Sequence, residues 1–307
     1  TNSGTPTAPV YNSKDVGQYS TAVGSQSWTK GDYSAAYGYQ AEATATNAVA
    51  IGRVSKATGT SATAVGVNNK AQAQDSSAVG SSNTIEATAT QASAFGRENT
   101  VNRGATIAAG YKNTADGDRN VAIGNENTTK GEETIGIGTK VIAGTGKTIA
   151  IGSVYNPGGG VEKQTIARGD DTINPATGQV NNVFALAIGN GAQADGKDNK
   201  ASGMIAIGQD VLANNNNTIA MGIQAKATGA QAIAFGKVAN ASGSGAFALG
   251  QAANATSHGS IAMGNGAQST GSGSTALGRT AKATNDGAVA LGFSAEATGD
   301  GAIAIGG

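Results

Sequence analysis

The residues of this 307-residue chain best suited to chemistry are few: a single histidine, His258, and a carboxylate pair, Asp170 and Asp171, with Glu162 and Arg168 nearby. A lone histidine can move a proton, but general-base work needs an orienting partner. No second histidine exists, and His258 lies in a turn-like run, Ala255-Thr256-Ser257-His258-Gly259. It reads as an exposed turn residue. Asp170 and Asp171 could offer oxygen ligands to calcium, yet their long irregular setting favours a solvated loop. Gly158-Gly159-Gly160 lacks the Gly-Lys-Ser/Thr ending that makes a phosphate loop. There is no cysteine, which removes thiolate zinc sites, thiol nucleophiles and disulfides. The expectation is a protein with no catalytic residue, no metal and no cofactor.

Composition narrows the class further. Glycine supplies 48 residues and alanine 59, while aromatics make up 4%. Much of the 38% hydrophobic content is therefore alanine, too small to fill a conventional core of this length. Twenty basic and twenty acidic residues cancel and are scattered, so no basic stripe suits nucleic acid. No run approaches the ~20 apolar residues of a membrane span, and nothing reads as a signal peptide. The chain starts at Thr1, which reads as a processed or excised piece.

What could position side chains is a repeat. A motif of the form large–Ala–large–Gly recurs nineteen times, from Thr21-Ala22-Val23-Gly24 to Ile303-Ala304-Ile305-Gly306, and fifteen of the eighteen intervals are fourteen residues. The exceptions are Gly80 to Gly96 (sixteen), Gly152 to Gly189 (thirty-seven) and Gly189 to Gly208 (nineteen). Asn156-Pro157-Gly158 and Asn174-Pro175 in the long interval are turn signals, and insertions in repeat arrays form loops on one face. After each motif comes an alternating stretch such as Ala225-Lys226-Ala227 or Ala281-Lys282-Ala283, the period-two pattern of a strand with one buried face. Thr-Gly, Ser-Gly or Asn-Asp-Gly then closes the turn. Two strands and two turns in fourteen residues predict an all-β fold, one coil of a flattened parallel β-solenoid per repeat. Nineteen coils at strand spacing would make a rod of roughly 90 Å.

The motif strand is apolar on both faces. Alanine stands two before the glycine in eighteen of nineteen copies, Gly136 being the exception. Large residues flank it, as in Ile149 and Ile151, Ile205 and Ile207, Ile219 and Met221, or Val289 and Leu291. A strand that reads as a continuous hydrophobic run is covered on both sides. The second strand offers only Ala and Ser inward, so the motif alanine is expected to meet it in a thin interior. The large residues then face outward, a stripe far bigger than monomers expose. Closed self-association covers it most simply, which makes these eight residues the expected core between copies.

The unit, seen cleanly as Asn217-Thr218-Ile219-Ala220-Met221-Gly222 and Asp286-Gly287-Ala288-Val289-Ala290-Leu291-Gly292, resembles the head repeat of trimeric autotransporter adhesins, the YadA-like heads of Gram-negative bacteria. The resemblance covers about residues 20–307. It implies a left-handed parallel β-roll, a homotrimer, and a place on the bacterial surface above a coiled-coil stalk and a C-terminal outer-membrane anchor, both outside these residues. It also implies non-enzymatic adhesion to host matrix proteins such as collagen, fibronectin and laminin, or to host cell receptors.

Residues 1–19 read as a capping or frayed segment, and 20–307 as the roll with a loop insertion at about 153–188. Long loops on rigid scaffolds carry recognition disproportionately, so Tyr155, Arg168, Asp170, Asp171 and Asn174 are candidate partner contacts. Lys56, Lys70, Lys226 and Lys282 stand outward on second strands and would stack into a polar ladder; each also reads simply as a solvated side chain. The alternative function is an ice-binding or other structural solenoid, since threonines recur at turns, as at Thr44, Thr228 and Thr298. Those threonines do not build a sustained Thr-x-Thr ladder on one strand.

Overall fold

The computed structural model describes residues 16–144, 146–156, 161–169, 184–196 and 201–306. It divides into two units, Thr1–Glu133 and Thr134–Gly307. In the first, eight motif strands run from Thr21–Val23 to Val121–Asn125, and eight second strands from Trp28–Thr29 to Thr128–Lys130. In the second, eleven motif strands run from Ile135–Thr139 to Ile303–Ile305, and ten second strands from Ile142–Ala143 to Glu296–Ala297. The described residues contain no helix. Like pairs with like, in parallel, so that motif alanine stacks on motif alanine (Ala36 on Ala50, Ala220 on Ala234). This is the parallel β-solenoid the period demands.

Two backbone facts explain why the repeat is spelled as it is. The motif glycine has a strongly positive φ, +127° at Gly222, and a Cβ there would lie 2.5 Å from the Gly236 carbonyl oxygen. Only glycine has both the conformation and the room. At two further places per coil the chain takes the left-handed conformation, as at Val54 (φ 58°) and Ser61 (φ 56°). These corners turn the chain, and their amides bond to the neighbouring coil, Val54 N–H to Tyr39 O at 2.8 Å.

The interior is made of alanine. Sixteen of the eighteen motif alanines are fully buried, and the two others, Ala22 and Ala304, belong to the outermost described motif strands. The expectation that second strands turn only Ala and Ser inward needs correcting. Thr29, Ile85, Val101 and Thr129 also point inward and are buried. The larger residues have a reason to be where they are. Ile85 immediately precedes the turn that holds the two extra residues of the Gly80–Gly96 interval, and Val101 stacks on it in the next coil. Met204, the buried first residue of Met204–Ile207, directly follows the lengthened turn of the Gly189–Gly208 interval. Extra backbone widens a coil, and bigger side chains restore its packing.

The 153–188 stretch does not consist of loop alone. Ile166–Arg168 is a second strand in register with Ile142–Ala143 and with Gln193–Asp195, and Phe184–Ile188 is a motif strand paired with Lys147–Gly152. The coil is kept, and the added residues enter at both of its turns.

Candidate interaction surfaces

The first surface is the outer face of the motif strands. All eight sequence-predicted core positions point away from the alanine interior. Ile149, Ile205, Ile207, Ile219, Met221, Val289 and Leu291 are half-buried and Ile151 is exposed. Register stacks them into two columns, one on each side of the buried alanine. Ile205 stacks on Ile219 and Ile207 on Met221. The column after the alanine is apolar in both units. The column before it is not: in the second unit Thr275 is its only polar residue, whereas in the first it contains Thr63, Ser77 and Ser93 in consecutive coils.

The second surface is the outer face of the second strands, where the predicted lysines lie. Lys56 pairs with Glu42 at 2.8 Å and Lys282 with Glu296 at 2.5 Å, each one coil apart. Both pairs are largely solvated, so each contributes about 0–1 kcal/mol. Lys70 and Lys226 are exposed; Lys70 lies in register between Lys56 and Thr84, and Lys226 between Leu212 and Asn240. Next to Lys70 starts a column the sequence reading passed over: Thr84, Thr100, Thr114 and Thr128 in direct register. The columns beside it hold Glu98, Lys112 and Asp116, so no flat threonine array forms.

The third surface is built by the insertions. Tyr155 and Lys163 form an antiparallel bridge, exchanging N–H···O bonds of 2.7 and 2.8 Å. This bridge is tied down on both sides, by Lys163 to Asp210 and by Glu162 to Lys140 at 3.2 Å. Its packing also requires Gly191, where a Cβ would stand 2.8 Å from the Tyr155 Cβ. Tyr155 itself is half-buried. Arg168 is committed within the chain. Its Nε and Nη2 donate to the two carboxylate oxygens of Asp195, both at 2.7 Å. That fork-to-fork pair joins neighbouring second strands, so Arg168 holds the insertion coil in place. Asp170, Asp171 and Asn174, with Gly158-Gly159-Gly160, lie outside the described residues.

His258 is exposed at its turn, and its carbonyl accepts the Gly273 amide. Around Tyr111, Arg97 and Lys112 both approach the ring, at 5.4 and 5.1 Å from its centroid. Tyr111 foremost, through a hydrogen bond, and then the charges of Glu98 and Glu126 hold the Lys112 pKa above its ordinary value.

The feature that sequence reasoning missed lies inside the first unit. Asn69, Asn83, Asn99 and Asn113 are fully buried, and their side chains form a continuous ladder. Asn99 shows the pattern. Its Nδ2 donates to Asn83 Oδ1, Phe95 O and Gly110 O, and its Oδ1 accepts from the backbone and side-chain N–H of Asn113. Asn127 extends the ladder, its amide donating to Asn113 Oδ1 at 3.0 Å. The signal was present as Gly-x-x-Asn in five successive repeats, where most other repeats have Ala or Ser.

A protein-family model described as the YadA head domain repeat (2 copies) matches residues 16–41, 31–55, 57–83, 105–127, 213–239, 241–267, 269–295 and 283–307, together more than half of the chain. No curated protein matches it. The matched stretches leave out the insertion coil and most of the widened Gly80–Gly96 coil.

Proposed function

The chain belongs to the YadA head repeat family, a structural adhesin family whose repeats imply a trimeric autotransporter adhesin-type head, and from that premise we propose that it acts as a homotrimeric, non-enzymatic head attaching a bacterium to host matrix proteins or host cells. The observation that carries the assembly is the pair of outward apolar columns beside the buried alanines. Apolar surface repeated over coil after coil is stabilised only by cover, and identical chains around a threefold axis supply it with the same residues from each. Family members are surface-exposed components of outer-membrane autotransporters, so the head stands outside the cell.

The matrix-binding surface we propose is the solvent side of the trimer: the insertion coil with Tyr155, Asp170, Asp171 and Asn174, together with the ladder positions Lys70 and Lys226. Arg168 supports that surface by fixing the coil through Asp195. Repetition favours this use, because contacts that are individually weak add when one rod presents many of them.

The test is adsorption of the full chain to immobilised collagen, fibronectin and laminin and to cultured cells. Wild type binds at least one, and Tyr155→Ser or the pair Lys70→Glu and Lys226→Glu weakens binding about tenfold, as hot-spot loss does. Point changes are needed because deleting 154–180 would also remove the strand Ile166–Arg168. No binding to any of these targets sinks the matrix reading.

A further inference from the structure

Resting on the trimer proposed above, we propose that the contact between copies is uneven, firm across the second unit and weak in the first around Thr63, Ser77 and Ser93, where it opens locally while the trimer stays assembled. The outward position before the motif alanine decides this. In the second unit it is a large apolar residue in ten of eleven motif strands, among them Ile149, Leu186, Ile205 and Ile219. In the first unit only three of eight, Val49, Ile107 and Val121, are of that kind. Thr63, Ser77 and Ser93 follow one another in direct register, so the polar break is three coils deep and recurs in every copy.

A hydroxyl sealed against apolar surface without a partner is costly. None of these three side chains has a hydrogen-bond partner among the described residues. Symmetry places the same hydroxyls of the other copies at the same level, and water is the partner that suits them all. The neighbouring column still holds Val65, Val79 and Phe95, so this part of the contact keeps one apolar column where the second unit has two. Free energies of local opening range from near zero up to the global value, and such a half-polar segment belongs at the low end.

The chain has no cysteine, so a single introduced thiol reports without background. Ser77→Cys and Thr275→Cys put a thiol at the same place in a coil of each unit, both replacing a small polar residue. Sedimentation of each variant first establishes its mass. On the trimer, the expected result is thiol labelling about tenfold or more faster at Ser77→Cys than at Thr275→Cys, with the difference vanishing in denaturant. Equal rates at the two positions, or faster labelling at Thr275→Cys, overturn the uneven contact and leave the trimer standing. Rapid labelling at both with a single-chain mass overturns the trimer itself. If either variant fails to fold, Ser93→Cys and Ile261→Cys repeat the comparison one coil away.

Discussion

Glycine and asparagine, more than the large apolar residues, decide which conformation each turn of this chain takes. Gly222 combines a φ of +127° with a neighbouring carbonyl in the space of its missing Cβ. Gly222→Ala is therefore expected to cost about 2–4 kcal/mol, read as a lower midpoint of thermal unfolding and faster hydrogen exchange in the flanking coils. The corner residues give the opposite sign. Val238 is β-branched, exposed, and held at φ 59°, while the equivalent corner two coils further on is Gly266. Left-handed backbone costs a non-glycine residue roughly 1–2 kcal/mol, and glycine's extra freedom when unfolded returns roughly 0.5–1 kcal/mol of that. Val238→Gly should thus raise stability by about 0.5–1 kcal/mol, and a lowered midpoint would show that the strain is absent.

At the scale of the element, the residue three after the motif glycine selects the turn. At Ala239, Ala253, Ala267 and Ala281 its amide bonds back to the glycine carbonyl, at 3.3 Å in each, and the motif strand is three residues long. Where it is Asn in the first unit, the strand extends to five residues, as in Ser93–Arg97, and from Asn83 on the amide bonds to the preceding asparagine side chain. Asn99→Ala removes the acceptor for two buried Asn113 N–H groups and the donor to two partly buried carbonyls. The expected loss is about 2–4 kcal/mol, seen as local deprotection centred on residues 95–113 in hydrogen exchange. Protection unchanged there would mean the ladder is incidental. Much of this level was legible in the sequence: the alternation around Lys226 and Lys282 and the constant motif alanine gave both strands and their inner faces. The ladder was not, because a polar residue next to a turn ordinarily reads as solvated, and only the stacking of coils buries Asn99. The same holds for Arg168, whose partner Asp195 is twenty-seven residues away and becomes adjacent only when the insertion coil closes.

For the whole molecule the question is what covers the outer columns. Ion pairs between adjacent coils, such as Lys56 with Glu42, consume part of the surface charge, and the formal net charge is zero, so charge repulsion does not keep copies apart. Covering a half-exposed Ile or Leu is worth about 1 kcal/mol. Summed over nineteen motif strands, that exceeds the roughly 4–15 kcal/mol that association costs in lost freedom. The account therefore stands on the assembly state of the intact chain. Sedimentation equilibrium at micromolar concentration is predicted to return three times the 29.8 kDa chain mass, independent of loading concentration. A stable species of one chain mass, with Ile151 and its column left in water, would contradict it.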